Sequence, residues 1–116
     1  MSFLSRLLGA SPSSMSPTEF VARRDAAAPL LDVRTPAEFA EGHLAGAVNV
    51  DLFAPDFRQQ VEALDLPAET PVYLYCRSGN RSGQATGLLA EMGHAGAVNV
   101  GGFEALRRAG AEEAGR

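Results

Sequence analysis

Val72-Tyr73-Leu74-Tyr75-Cys76-Arg77-Ser78-Gly79-Asn80-Arg81-Ser82-Gly83 decides the reading of this chain. Its first five residues are aromatic or apolar with no polar alternation, the pattern of a strand covered on both faces. A short Gly/Ser segment follows. From Arg81 to Met92 the pattern is helical, with Ala85, Leu88, Leu89 and Met92 spaced for one face and Gly93 as the stop. A buried strand thus delivers Cys76 to a tight loop that opens into a helix.

Working outward, the same alternation recurs. Ser16-Pro17-Thr18-Glu19 has a cap, a first-turn proline and a glutamate that closes a capping box. Leu30-Leu31-Asp32-Val33 is a short run of strand length after Pro29. Thr35-Pro36-Ala37-Glu38 repeats the capping pattern for a helix that Gly42 keeps short. Ala47 to Val50 reads as a strand. Asp51 to Leu64 is mostly helical, its regular part confined beyond Pro55. Ala97 to Val100 is the last strand and Phe103 to Ala109 the last helix. Strands alternating with helices predict an α/β fold of three layers, α/β/α, with a parallel sheet and right-handed crossovers. The segments Gly46–Val50 and Gly96–Val100 are both GAVNV. Five residues do not establish a repeat, and they read as two buried strands under similar demands.

With 116 residues, of which 46% are hydrophobic, the chain fits one compact domain with a real core. The expected division is a tail or short helix over 1–14, a domain over 15–110 and a tail over 111–116. Phe3/Leu7 and Leu4/Leu8 would share a face if the first segment is helical. Arg6 interrupts that segment and makes it a poor signal-peptide core. A net charge of −4 argues against general nucleic-acid binding, which needs a basic face. No run approaches the length of a membrane span. A single cysteine excludes an internal disulfide and suits a reducing compartment, so a cytoplasmic location is expected.

The chemistry gathers at the loop. Successive N–H groups of the loop can converge into an anion nest, and Ser78, Asn80 and Ser82 can donate hydrogen bonds without bulk. The following helix N-terminus adds positive potential, and Arg77 and Arg81 add formal charge. Together these should favour a Cys76 thiolate, a persulfide anion or an anionic substrate. Gly79 allows the turn without a Cβ clash. Asp32, at a strand end beside the same sheet edge, could orient the Cys76 loop, pair with Arg34, or serve an ordinary turn. No cofactor is called for. His43 and His94 with Cys76 make a poor zinc set, and His43 is expected to tie a loop by hydrogen bonding.

At this point the sequence resembles the rhodanese family. The resemblance rests on Leu31-Asp32-Val33-Arg34, Glu38-Phe39, Glu41-Gly42-His43 through Val50, Pro71-Val72, Tyr75 through Ser82, and Gly101-Gly102-Phe103. It runs in order from about Ser16 to Leu106. It implies a five-stranded parallel sheet flanked by helices. It also implies that Cys76 accepts a sulfane sulfur from a small anionic donor such as thiosulfate. The acceptor would be cyanide, a thiol or a protein. Phe103 stands where many relatives carry tryptophan. Contacts between the two domains of longer relatives do not transfer to one domain.

Two other classes compete. A persulfide carrier or interaction module needs the same stabilised sulfur. A cysteine phosphatase or arsenate reductase also holds an anion over a cysteine, but resembles C-x5-R. Here four residues separate Cys76 from Arg81, and no general acid for an alkoxide stands out.

Overall fold

The computed structural model describes residues 14–115. The N-terminal face of Phe3, Leu4, Leu7 and Leu8 lies outside them. The order is α1 (Pro17–Arg23), β1 (Leu30–Asp32), α2 (Pro36–Glu41), β2 (Val48–Asn49), α3 (Phe57–Ala63), β3 (Val72–Cys76), α4 (Asn80–Glu91), β4 (Ala97–Gly102) and α5 (Phe103–Arg108). The strands form a parallel sheet in the order β2-β1-β3-β4.

Both expected capping boxes form. The Ser16 hydroxyl accepts from the Glu19 N–H, and Glu19 accepts from the Ser16 N–H. Thr35 and Glu38 make the same reciprocal pair. In β3 all five residues are buried, and their alternation builds two cores. Val72, Leu74 and Cys76 join Leu31, Val61 and Leu89 on one face, under α3 and α4. Tyr73 and Tyr75 join Phe20, Leu44 and Leu106 on the other, under α1 and α5. This is the expected three-layer arrangement.

The expectation of five strands is corrected: the described residues form four. Beside β4, where another strand would add, there is a single parallel bridge between Ser14 and Asn99. The Met15 N–H donates to the Asn99 carbonyl at 2.9 Å. After Ser14 and Met15, Ser16 and Pro17 open α1 and take the chain off the sheet edge. Residues 111–115 lie against the loop after α2, with Leu44 and Glu113 in an antiparallel bridge.

Two features shape the sheet edge at Cys76. β4 pairs Leu74 with Asn99 but Tyr75 with Gly101, leaving a β-bulge at Val100. Gly101 there has φ +104°, in the left-handed region that favours glycine.

Candidate active site

Cys76 ends β3 fully buried. The chain turns at Gly79, whose φ is +100°, and enters α4 at Asn80. Three residues beyond Cys76, the Gly79 N–H points back at its Sγ at 3.0 Å. The Ser82 Oγ, on the first turn of α4, lies 3.4 Å from the same sulfur. Burial pushes the Cys76 thiol up. Hydrogen bonds open to the charged sulfur, from the Ser82 hydroxyl and from the N–H groups of Ser82, Ser78 and Gly79, outweigh it, so the thiol lies below its ordinary range. Of the loop's N–H groups, that of Gly79 makes the direct hydrogen bond to the sulfur.

The arginines take different places. Arg81 is turned onto α2, where its two Nη atoms donate to Glu38 Oε1 and Oε2 at 2.8 and 3.1 Å. Its charge still reaches the Cys76 thiolate. The same bond, against burial and with help from Thr35, holds Glu38 at about 2. Arg77 is exposed. It lines a cleft of about 520 Å³ with Arg34, Glu38, Glu41, Gly42, Phe103 and Glu104. Ser78 and Asn80 are exposed on the loop.

Asp32 resolves as the partner of Arg34. The two are buried together, with Arg34 Nη2 to Asp32 Oδ2 at 2.6 Å and the Arg34 N–H to Asp32 Oδ1 at 2.9 Å. Arg34 also donates to the Gly42 carbonyl at 2.7 Å and lies 4.4 Å from the centre of the Phe103 ring. Burial lowers its proton affinity, but the bond and charge of Asp32 prevail and hold it above its ordinary value. Arg34, held by Asp32, lines the cleft. His43 Nδ1 is 2.9 Å from the Phe39 carbonyl, and its ring stacks on Phe39, so it ties the end of α2 as expected.

Sequence reasoning missed two site residues. Glu38 was read as a cap, and it also anchors Arg81. Asn99 on β4 donates from Nδ2 to the Gly79 carbonyl at 3.0 Å, and its Oδ1 is 2.7 Å from Ser82 Oγ. The duplicated GAVNV was the available signal. Its other asparagine, Asn49, donates to the Asp32 and Arg34 carbonyls at 3.0 and 2.9 Å. Each copy uses its asparagine to hold the loop that leaves the neighbouring strand.

A parallel α/β/α sheet with a buried cysteine beside loop N–H donors at its C-terminal edge defines a site with the chemistry to hold a small anion or an anionic sulfur. The model of the rhodanese-like domain matches residues 16–109, and the chain belongs to that family. It is 33% identical over 74 residues to thiosulfate sulfurtransferase PspE of Escherichia coli, covering 64% of this chain and 69% of the relative. It is 34% identical over 93 residues to thiosulfate sulfurtransferase GlpE of Stutzerimonas stutzeri, covering 78% and 81%. A rhodanese-related protein from Thermoplasma volcanium superposes with a TM-score of 0.72 at 25% identity, covering 86% of this chain and 95% of that one. No helix among the described residues is long and apolar enough to cross a membrane.

Proposed function

We propose that the protein is a sulfurtransferase in which Cys76 carries sulfur as a persulfide. The observation that carries the reading is the Gly79 N–H at 3.0 Å from a buried Cys76 Sγ, among further N–H donors of the same loop. The Cys76 thiolate attacks the outer sulfur of a donor of the thiosulfate class. The S–S bond of the donor breaks, sulfite leaves with its electron pair, and Cys76 becomes a persulfide anion. Cyanide, a thiol or a persulfide-accepting protein then takes the outer sulfur and restores the thiolate. Both steps conserve charge and need no outside oxidant. The nest that favours the thiolate also favours the persulfide anion. Exposed Arg77 supplies positive charge at the cleft for the incoming donor. A reducing, cytoplasmic setting keeps the lone thiol ready.

Arg81 argues against a phosphatase. An oxyanion clamp needs a guanidinium over the loop, and this one is committed to Glu38. The test is intact mass before and after thiosulfate, followed by cyanide. A gain of one sulfur atom that Cys76→Ser abolishes and cyanide removes supports the assignment. Aryl-phosphate hydrolysis without sulfur uptake would overturn it. Sulfur uptake with negligible turnover would mark a carrier.

A further inference from the structure

We propose that Asn99 is a positioning residue that decides which acceptor the Ser82 hydroxyl hydrogen serves, its own side-chain oxygen or Cys76 Sγ. This deepens the sulfur-transfer reading and rests on it for the importance of a thiolate.

The Ser82 hydroxyl has one hydrogen and two acceptors in reach. Asn99 Oδ1 stands at 2.7 Å, and Cys76 Sγ at 3.4 Å. The Asn99 amide has one consistent orientation. Its oxygen accepts from the Gly101 N–H at 3.0 Å and its nitrogen donates to the Gly79 carbonyl at 3.0 Å. A flipped amide would set donor against donor and acceptor against acceptor. The Ser82 hydrogen therefore goes to Asn99 in the resting site. Its oxygen lone pairs then face the sulfur, an arrangement that suits a neutral thiol and opposes a thiolate. When the sulfur is charged, the hydroxyl can turn to it only by giving up the Asn99 bond. Asn99 thus restrains the thiolate, while the main-chain donors of the loop favour it.

The charged groups around Cys76 are few. Arg81 of α4 acts on it by charge and is bonded to Glu38 of α2. Asp51, beyond β2, acts on Arg81, and Arg77 is exposed on the loop. β4 carries no ionisable side chain. All of these remain when Asn99 is changed, so their effects cancel in a comparison. The Gly79 carbonyl also keeps its bond from the Gly83 N–H, at 3.0 Å, so the start of α4 retains a tie.

The experiment is the pH dependence of Cys76 alkylation by iodoacetamide in the full chain, for wild type, Asn99→Ala, Ser82→Ala and the double variant. It uses no sulfur donor, so it stands or falls apart from sulfurtransfer, which the mass assay reads. Asn99→Ala should move the profile to lower pH and raise the rate at neutral pH about three- to ten-fold, as a charge-assisted hydrogen bond to sulfur is gained. In the Ser82→Ala background the same change should have no effect. A profile that stays put or moves to higher pH in Asn99→Ala overturns the proposal. So does an effect that persists without Ser82. Should the alanine variant unfold, Asn99→Leu keeps the side-chain volume and carries the same expectations.

Discussion

Gly102 lies so close beneath the Cys76 loop that a Cβ added to it would stand 2.5 Å from the Arg77 carbonyl oxygen and 3.1 Å from Ser78 Cα. Those neighbours are backbone and cannot rotate aside. Gly101 brings the chain there through its positive φ. The Gly-Gly pair thus sets the height of the nest over β4. Gly102→Ala is expected to cost about 1–3 kcal/mol of stability, the range of overpacking. It should also slow Cys76 alkylation as the loop is pushed off its donors. Urea unfolding and alkylation rates check both. An alanine variant equal to wild type in each would show that the loop has slack the geometry denies.

The Asp32–Arg34 pair predicts an asymmetry. Asp32 is wholly buried and Arg34 is 5% exposed. Asp32→Asn keeps the shape but leaves a buried guanidinium without its counter-charge, which costs about 3–5 kcal/mol. Removing both charges, as in Asp32→Leu with Arg34→Met, should be less damaging than either single change. Denaturant unfolding of the single and double variants measures this. A double variant as unstable as the sum of the singles contradicts the account.

Glu38 gives the stability a pH signature. Its folded value of about 2 lies below its ordinary 4.5. A depressed carboxyl contributes stability that is present above 4.5 and is lost as pH falls through about 2. The side chains of Arg81 and Glu38 are 18% and 25% exposed, so solvent screens part of the effect. The contribution should be about 1–2 kcal/mol. Glu38→Gln should therefore show a flatter acid limb than wild type in thermal melts across that window. Identical limbs would mean the bond to Arg81 is not formed in solution.

What the sequence revealed and what it hid divide by range. The caps at Ser16 and Thr35 were legible because each joins residues three apart. β3 was legible because its unbroken apolar run has no other stable place than the centre of a parallel sheet. The Cys76 loop was legible because cysteine, glycine and helix start fall within a few residues. The Arg81–Glu38 bond joins residues 43 apart, and Asn99 reaches Ser82 across 17. Such contacts depend on strand order and on the bulge at Val100. Arg81 was read for the charge it adds at the loop, and its bond to Glu38 of α2 was not foreseen. Among the described residues the strands number four, with a single bridge at Ser14 on the outer edge of β4 just before Pro17 opens α1.

In the proposed mechanism loop length sets the fit around the sulfur, and it can be changed without touching any side chain. Four residues separate Cys76 from Arg81, and the Gly79 N–H reaches Sγ because it lies three residues on. A second sulfur adds one atom beyond Sγ, and donors gathered this tightly suit that size better than a tetrahedral oxyanion. Inserting one glycine between Ser78 and Gly79 should displace the Gly79 N–H from the sulfur. The segment has room to bulge, since Arg77 and Ser78 are exposed. β3, α4 and their core contacts should persist, so circular dichroism and the melting temperature should change little. Sulfur uptake from thiosulfate, read by intact mass, is expected to slow about ten-fold or more, as when an oriented donor is removed from a developing anion. Alkylation should move to higher pH, because a hydrogen bond to the thiolate is lost. Uptake at the wild-type rate in a folded insertion variant would mean that a close fit around the sulfur is not what the loop provides.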